Sequence, residues 1–293
     1  MTTHAYFPGC SLRGTGRAYD ESLVQVFRVL GVAIEELEDW NCCGATTYMS
    51  YDEIQSYALA ARNLAIARRK NQDIMAPCAA CYLVLNKTQH YVAEYPAVRQ
   101  IVEKALGAIG LAYPEGVKVR HPLDILLNDV GLDAIKAKVV RPLKGLRVAP
   151  YYGCQIVRPY STFDDQRCPT SMDRLLETCG AKAVYYPVKT RCCGGSQKGT
   201  LPEIGLDLIK NLIQVAHANG AEAVATVCPL CQFNLEVFQE EAVRNAHTLE
   251  SIPVLYFTQL MGLALGVPAG KLGLQRSFVP LDAVLAFKEV AHV

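Results

Sequence analysis

The sequence contains no apolar run of the length that a membrane-spanning helix needs. Such a helix takes about 18 or more consecutive apolar residues, and the best candidate here, residues 260–267, has only eight. The first residues of the chain also lack the basic segment and the apolar segment of a secretory signal. We therefore expect a cytoplasmic protein without a membrane span, in a compartment that keeps thiols reduced.

The chain also lacks an excess of charge of either sign. Lys and Arg total 29, Asp and Glu total 28, and the formal net charge is +1. Nucleic-acid-binding proteins usually carry a basic patch or stripe, and the basic residues here are dispersed, so we expect no nucleic-acid partner. The segment Gly14-Thr15-Gly16 lacks the third glycine of a dinucleotide fingerprint, and we expect no flavin in this chain.

Cysteine, in contrast, is abundant, with 12 among 293 residues. In a reducing compartment, so many cysteines indicate metal binding or redox chemistry rather than structural disulfides. Ten of them form two copies of one pattern, Cys…Cys-Cys-Gly…Cys-x-x-Cys. The first set consists of Cys10, Cys42, Cys43, Cys78 and Cys81, and the second set consists of Cys154, Cys192, Cys193, Cys228 and Cys231.

The spacing of the two sets indicates an internal duplication. In each half, 33 residues separate the glycine of Cys-Cys-Gly from the Cys-x-x-Cys, and the last four cysteines of the sets are 150 positions apart. The first cysteines are 144 positions apart, so the second half has six additional residues, which we place in a loop insertion at 163–168. We predict an N-terminal lobe at 1–140 with the first set and a C-terminal lobe at 146–293 with the second.

Short apolar runs alternate with longer segments of helical periodicity in both halves. This alternation is typical of βαβ units with parallel strands. The sequence predicts strands at 5–7, 73–76, 147–149, 183–186 and 223–226, and helices at 19–30, 54–69, 172–178 and 204–218. We expect an α/β fold of two similar lobes, related by a pseudo-two-fold axis, each with a short parallel sheet flanked by helices.

Each Cys-x-x-Cys follows a predicted strand and opens a helix. The N-terminus of a helix favours thiolate, which is the form of cysteine that binds metal. Neighbouring residues on an extended chain point in opposite directions, so an adjacent cysteine pair ligates one centre only in a turn or across a multi-metal cluster. Gly44 and Gly194 follow the pairs and permit such a turn, because glycine adopts positive φ at little cost.

Several kinds of site compete for these cysteines. A structural zinc site takes four thiolates, as does an ordinary cubane [4Fe–4S] cluster, whereas each set has five cysteines. A thioredoxin-like dithiol leaves the adjacent pairs unexplained. Five thiols favour an iron–sulfur cluster that is not a simple cubane, and zinc in at least one site stays open. Outside the sets, we expect Cys179 to be a small buried side chain and Cys168 to be exposed.

The doubled pattern, along essentially the whole chain, resembles the B subunit of heterodisulfide reductase. This resemblance implies that each set holds one noncubane [4Fe–4S] cluster. The five cysteines of each set are the implied ligands of its cluster, so all ten cysteines are ligands. It also implies a disulfide or thiol substrate in a cavity between the lobes. Implied partners are a ferredoxin-like C subunit and a flavin-bearing A subunit. The opening segment Pro8-Gly9-Cys10-Ser11-Leu12 looks more like bacterial members than like methanogen enzymes.

The activity implied by the resemblance is that of an oxidoreductase acting on sulfur groups, which reduces a disulfide or oxidises thiols in reverse. Cleavage of a disulfide takes two electrons, and iron–sulfur clusters transfer one at a time, so a pair of clusters suits the reaction. Two alternatives stay open. One is an electron-transfer module of a larger redox complex with no substrate of its own, and the other is a zinc-binding scaffold subunit.

Overall fold

Two four-stranded parallel sheets organise the chain, one in each half. The structure is a computed structural model that describes residues 3–45, 47–244 and 250–286. The strands of the first sheet are β1 (His4–Tyr6), β2 (Ile34–Glu36), β3 (Ile74–Met75) and β4 (Val119–Arg120). The strands of the second sheet are β5 (Arg147–Tyr151), β6 (Lys182–Ala183), β7 (Ala223–Thr226) and β8 (Val254–Tyr256).

Helices connect the strands and cover the sheets. They are α1 (Gly9–Leu12), α2 (Arg17–Leu30), α3 (Thr47–Tyr51), α4 (Glu53–Arg69), α5 (Ala79–Glu94), α6 (Pro96–Gly107), α7 (Pro122–Ile125), α8 (Leu132–Lys138), α9 (Ser171–Thr178), α10 (Pro202–Ala218), α11 (Pro229–Val243), α12 (Phe257–Ala264) and α13 (Asp282–Leu285). A π-helical turn spans Leu126–Val130, and short 3-10 helices span Ala269–Lys271 and Leu274–Arg276. In the described part of the chain, no helix is long and apolar enough to cross a membrane.

The two sheets have the same topology. The strand order is β2-β1-β3-β4 in the first and β6-β5-β7-β8 in the second, and every pair is parallel. Parallel neighbours need a crossover connection, which the intervening helices supply. The expectation of an α/β fold with two similar, pseudo-two-fold-related lobes is confirmed.

Local sequence signals explain where the long helices begin and end. Asp52 caps α4, because its carboxylate accepts hydrogen bonds from the backbone of Ile54 and Gln55 at 3.1 Å. The helix α10 begins at Pro202. Proline lacks a backbone N–H, and this loses no hydrogen bond here, because N–H groups in the first turn have no partner within the helix. The helix α2 ends at Leu30 and is followed by its C-cap Gly31, which has φ +73°. All four predicted helices are present, and each begins one or two residues before the predicted start.

The edge strands are where the sequence-based prediction was incomplete. It omitted the three edge strands β2, β4 and β8. The residues of β2, Ile34–Glu36, are half-buried or exposed and so show no clear apolar alternation. It also placed a strand at 183–186, whereas β6 ends at Ala183. Beyond that residue the chain leaves the sheet, and the side chain of Tyr185 is 76% exposed. The three omitted strands are only two or three residues long, so each carries too little sequence pattern to identify it.

A continuous hydrophobic core joins the two halves. The helix α2 of the first half packs against α12 of the second. At this contact Tyr19 stacks on Tyr256 with ring centroids 4.5 Å apart, and the hydroxyls of Ser22 and Thr258 form a buried hydrogen bond of 2.7 Å. The division of the chain at 140–146 stays a prediction, and the predicted end of the second lobe at 293 lies outside the described residues.

The segment between β5 and α9, which contains the predicted insertion, is irregular and reaches over the first lobe. The ring of Tyr160 stacks on His90 at 4.0 Å. Phe163 lies edge-on to Tyr82, with centroids 6.4 Å apart, and Thr162 hydrogen-bonds the Tyr82 hydroxyl. The segment therefore adds a second contact between the two halves.

The buried Ser22–Thr258 hydrogen bond provides a test of the contact between the halves. We expect Thr258→Val to lower the free energy of unfolding by about 1 kcal/mol, the net value of one such bond, since Ser22 keeps its bond to the carbonyl of Ala18. Thr178→Val is the control, because the hydrogen bond of Thr178 is exposed to solvent and lies within its own helix; it should change stability by no more than about 0.5 kcal/mol. Equal changes in urea unfolding would contradict the assignment.

Candidate metal centre

The ten cysteines of the two sets all lie beyond the carboxyl ends of parallel strands. Cys10 follows β1 in α1, and Cys154 follows β5. Cys78 is the N-cap of α5, directly after β3, and Cys228 is the N-cap of α11, directly after β7. The adjacent pairs lie in the loops that precede α3 and α10. This edge is where open α/β sheets generally bind ligands.

The thiols of the first set form a row of contacts. Cys10 lies beside Cys42, and Cys42 in turn contacts Cys43. The Sγ atoms of Cys43 and Cys81 are 3.2 Å apart, and Cys81 contacts Cys78. Residues far apart in the sequence thus bring five sulfurs side by side.

The second set repeats the same row in the same order. Cys154 contacts Cys192, and Cys192 contacts Cys193. Cys193 contacts Cys231, and Cys231 contacts Cys228. The two sets are therefore equivalent in their thiol contacts as well as in their sequence spacing.

The two rows meet at their inner ends, where the thiols of Cys78 and Cys228 lie close enough to shift each other's pKa. All ten thiols are consequently joined in one row across the junction of the two halves. Cys10 at one end is exposed, and Cys42, Cys154 and Cys192 are half-buried. The remaining six are buried, so the row is open to solvent at its outer ends and enclosed at its centre.

Glycines allow the backbone to pass close to these sulfurs. Gly9 has φ +63°, and a Cβ there would lie 3.0 Å from the Sγ of Cys81. Gly153 is its counterpart, with φ +70° and a Cβ position 3.2 Å from the Sγ of Cys231. Gly44 and Gly194 have φ +84° and +77°, which confirms the turn predicted after each cysteine pair.

A single histidine holds the strand ends that carry both inner cysteines. The Nε2 of His121 lies 2.9 Å from the carbonyl oxygen of Pro77, and the ring also interacts with the backbone of Val227. Its Nδ1 accepts from the backbone of Leu123 at 3.1 Å, so the proton is on Nε2. Burial lowers the pKa of His121 to about 4, which keeps the ring neutral. This donor fixes the residues preceding Cys78 and Cys228 relative to each other.

The pKa values of the thiols reflect crowding and burial. Hydrogen bonds from Cys154 and Cys193 lower the pKa of Cys192 to about 2, whereas the bond with Cys192 and burial raise the pKa of Cys193 to about 11. The same causes raise the pKa of Cys154. Adjacent thiolates repel each other and lose solvation, so a row of them needs positive charge, and metal ions supply it.

The donor set fits a thiolate-ligated metal cluster, with five sulfurs per set and buried positions at the inner end. Within residues 3–45, 47–244 and 250–286, no group of three or more His, Cys, Asp or Glu side chains is already arranged to hold a metal ion. The other two cysteines are where the sequence predicts them. Cys179 is buried in the core, which raises its pKa to about 12, and Cys168 is exposed.

Sequence reasoning missed several residues at this site. It did not single out Gly9 and Gly153, or the phenols of Tyr19 and Tyr256, which lie near Cys78 and Cys228. Gly9 and Gly153 directly precede the first cysteine of each set, so a comparison of the two repeats could have identified them. The tyrosines are distant in sequence from the cysteines that they approach, and no spacing indicates them.

Comparisons with known proteins agree with the repeat. The CCG cysteine-rich domain model matches twice, at residues 4–86 and 148–236. The 8-methylmenaquinol:fumarate reductase membrane anchor subunit of Wolinella succinogenes is 32% identical, over 94% of this chain and 96% of its own. A protein of Archaeoglobus profundus, named as like the B subunit of heterodisulfide reductase, is 31% identical, over 91% of each chain. The B subunit of the ferredoxin/F(420)H(2)-dependent CoB-CoM heterodisulfide reductase of Methanosarcina acetivorans is 28% identical, over 95% of this chain and 94% of its own.

A solved structure supports the fold alone. A hypothetical protein from Helicobacter pylori superposes with a TM-score of 0.75 at 15% identity, covering 94% of this chain and 52% of that one. The two family-model matches span more than half of the sequence, and each contains all five cysteines of one set. The chain therefore belongs to the CCG cysteine-rich domain family, in the group that includes the B subunit of heterodisulfide reductase.

Proposed function

We propose that this chain is the iron–sulfur catalytic subunit of a heterodisulfide-reductase-like complex. In this proposal each set holds one noncubane [4Fe–4S] cluster, and Cys10, Cys42, Cys43, Cys78 and Cys81 and their second-set counterparts are the ligands. Three relatives support it, because they are named as B subunits of heterodisulfide reductase, or as like one, and are 27–31% identical over nearly the whole chain.

The contact between Cys78 and Cys228 is the observation that carries the proposal. Reduction of a disulfide consumes two electrons and two protons and releases two thiols. Iron–sulfur clusters, when bound, supply electrons singly. In this proposal, the two sets meet at their inner cysteines, so that two such centres would lie beside one substrate site between the lobes. His121 links the segments that lead into both inner cysteines.

The outer ends of the sets are where the chain meets its surroundings in this proposal. Within the two sets, the thiols that solvent reaches are those of Cys10, Cys42, Cys154 and Cys192. The exposed Arg158 lies near Cys192 and helps to lower its pKa. The reductant is a partner complex comprising a ferredoxin-like C subunit and a flavin-bearing A subunit, and the cytoplasmic location stays a prediction.

A second candidate is an electron-transfer subunit of a quinol-linked reductase with no substrate of its own. The Wolinella succinogenes relative favours it, since that protein is 32% identical over 94% of this chain and is named for a menaquinol:fumarate reductase. The two candidates share the clusters and differ in the reaction. Release of thiols from a disulfide by the protein and a one-electron donor distinguishes the first from the second.

Metal analysis tests the cluster proposal directly. Protein purified without oxygen should contain about eight irons and about eight acid-labile sulfides per chain, four of each per cluster. With reduced methyl viologen as donor, it should release thiols from a mixed disulfide. Zinc without labile sulfide would show that the chain is a zinc-binding scaffold subunit instead. Iron–sulfur clusters without thiol release would favour the electron-transfer subunit.

Removing one cysteine tests whether the two sets bind separately. We expect Cys193→Ala to lose about half of the iron, because a buried ligand of the second set is gone while the first set is intact. Cys168→Ser is the control, since Cys168 is exposed and outside both sets, and it should keep all of its iron. Loss of all iron in Cys193→Ala would show that the sets assemble as one unit.

The approach of Gly9 to Cys81 gives a test that leaves every cysteine in place. Gly9→Ala adds a Cβ 3.0 Å from the Sγ of Cys81, and we expect it to lose most of the first-set iron. Gly31→Ala is the matched control, because its φ of +73° imposes similar backbone strain but nothing lies within 4 Å. Both variants should lose about 1 kcal/mol of stability from that strain. Equal iron contents would contradict the role of Gly9.

A further inference from the structure

The phenol of Tyr19 is fully buried and has no hydrogen-bond partner. A buried hydroxyl without a partner is costly, and such groups call for an explanation. The other buried tyrosines of the described residues, in contrast, are satisfied. Their hydroxyls contact Asp20, Glu53, Thr162, Arg191, Asp173, Leu212 and Gln232.

The position of Tyr19 relates it to both cysteine sets. It extends from α2 of the first half and stacks on Tyr256, at the end of β8 in the second half, with ring planes 9° apart. Both phenols are close enough to Cys78 and Cys228 to interact electrostatically with these thiols. Tyr19 therefore lies beside the junction at which the two rows of sulfurs meet.

A second orphaned hydroxyl lies in the same region. Thr226 is the last residue of β7, two positions before Cys228, and its buried Oγ1 also has no partner. In the sheet it is paired in register with Tyr256. Two unsatisfied donors on neighbouring elements are unusual in a close-packed core, and they indicate an acceptor that the polypeptide itself does not provide.

We propose that Tyr19 donates a hydrogen bond to a sulfur of the cluster ligated by Cys78 or Cys228. This inference rests on the proposed function only in requiring that clusters are bound. Burial keeps the phenol protonated, since it raises the pKa of Tyr19 well above its ordinary value. A hydrogen bond to a cluster sulfur stabilises the reduced, more negative state and so raises the reduction potential. Tyr19 thereby raises the reduction potential of the cluster at the inner end of its cysteine set.

The variant Tyr19→Phe tests this role by spectroscopy rather than by turnover. We expect one cluster signal to shift to a more negative potential in a redox titration monitored by electron paramagnetic resonance. One exchangeable proton coupling should also disappear from the electron–nuclear double resonance spectrum of samples prepared in ordinary and heavy water. An unchanged potential together with a retained coupling would overturn the proposal, and would assign the coupling to a water or another donor.

Thermal unfolding separates this role from a structural one. In cluster-free protein, Tyr19→Phe should keep or raise the melting temperature, because it removes an unpaired hydroxyl. Tyr186→Phe is the matched control. It removes an equally buried hydroxyl that donates to the carbonyl of Leu212 at 2.9 Å, so its melting temperature should fall while the cluster potentials stay unchanged. A comparable fall in both variants would show that Tyr19 has a protein partner and overturn the proposal.

The wild-type protein distinguishes failure of this inference from failure of the proposed function. Clusters without thiol release from a disulfide would overturn the disulfide-reducing function, and the spectra of Tyr19→Phe would still decide the hydrogen bond. A wild-type protein with no iron and no labile sulfide would overturn both. Clusters with thiol release, but with identical spectra in Tyr19→Phe, would overturn the hydrogen bond alone.

Discussion

The crowding of ten thiols at the junction of two halves is the constraint on which the rest of this structure depends. Sulfurs in contact cannot all ionise in a buried site without compensating positive charge, and the inner six are enclosed by the core. The glycines with positive φ let the backbone approach the sulfurs. The neutral His121 interacts with the backbone of both halves, so one imidazole fixes the geometry at the centre of the row.

Much of this arrangement follows from the sequence, because covalent spacing and topology are local properties. The equal spacing of Cys42-Cys43 and Cys78 in one half and their counterparts 150 positions later predicts two equivalent sets. Strands followed by long amphipathic helices predict parallel sheets, whose carboxyl ends share one edge. The glycine after each cysteine pair predicts a turn. These features depend on neighbours in the chain, and the sequence shows neighbours directly.

The remaining features depend on how the two halves pack, and no spacing encodes that. Contact between Cys78 and Cys228 requires a particular rotation of one lobe against the other, which the stack of Tyr19 on Tyr256 and the Ser22–Thr258 bond help to fix. The edge strand β2 escaped prediction because it is only half-buried at best. The ligand roles of the ten cysteines stay a proposal, although the structure brings all ten together.

The duplication is complete in the sulfur rows and incomplete around them. The order of thiol contacts is the same in both halves, whereas the irregular segment after β5 lies over the first lobe and has no counterpart among the described residues. Relatives named for a heterodisulfide reductase and for a menaquinol:fumarate reductase both match this chain along nearly its full length. Within this chain, the two sets therefore differ in their surroundings, through the segment after β5 and the exposed Arg158, rather than in the order of their thiol contacts.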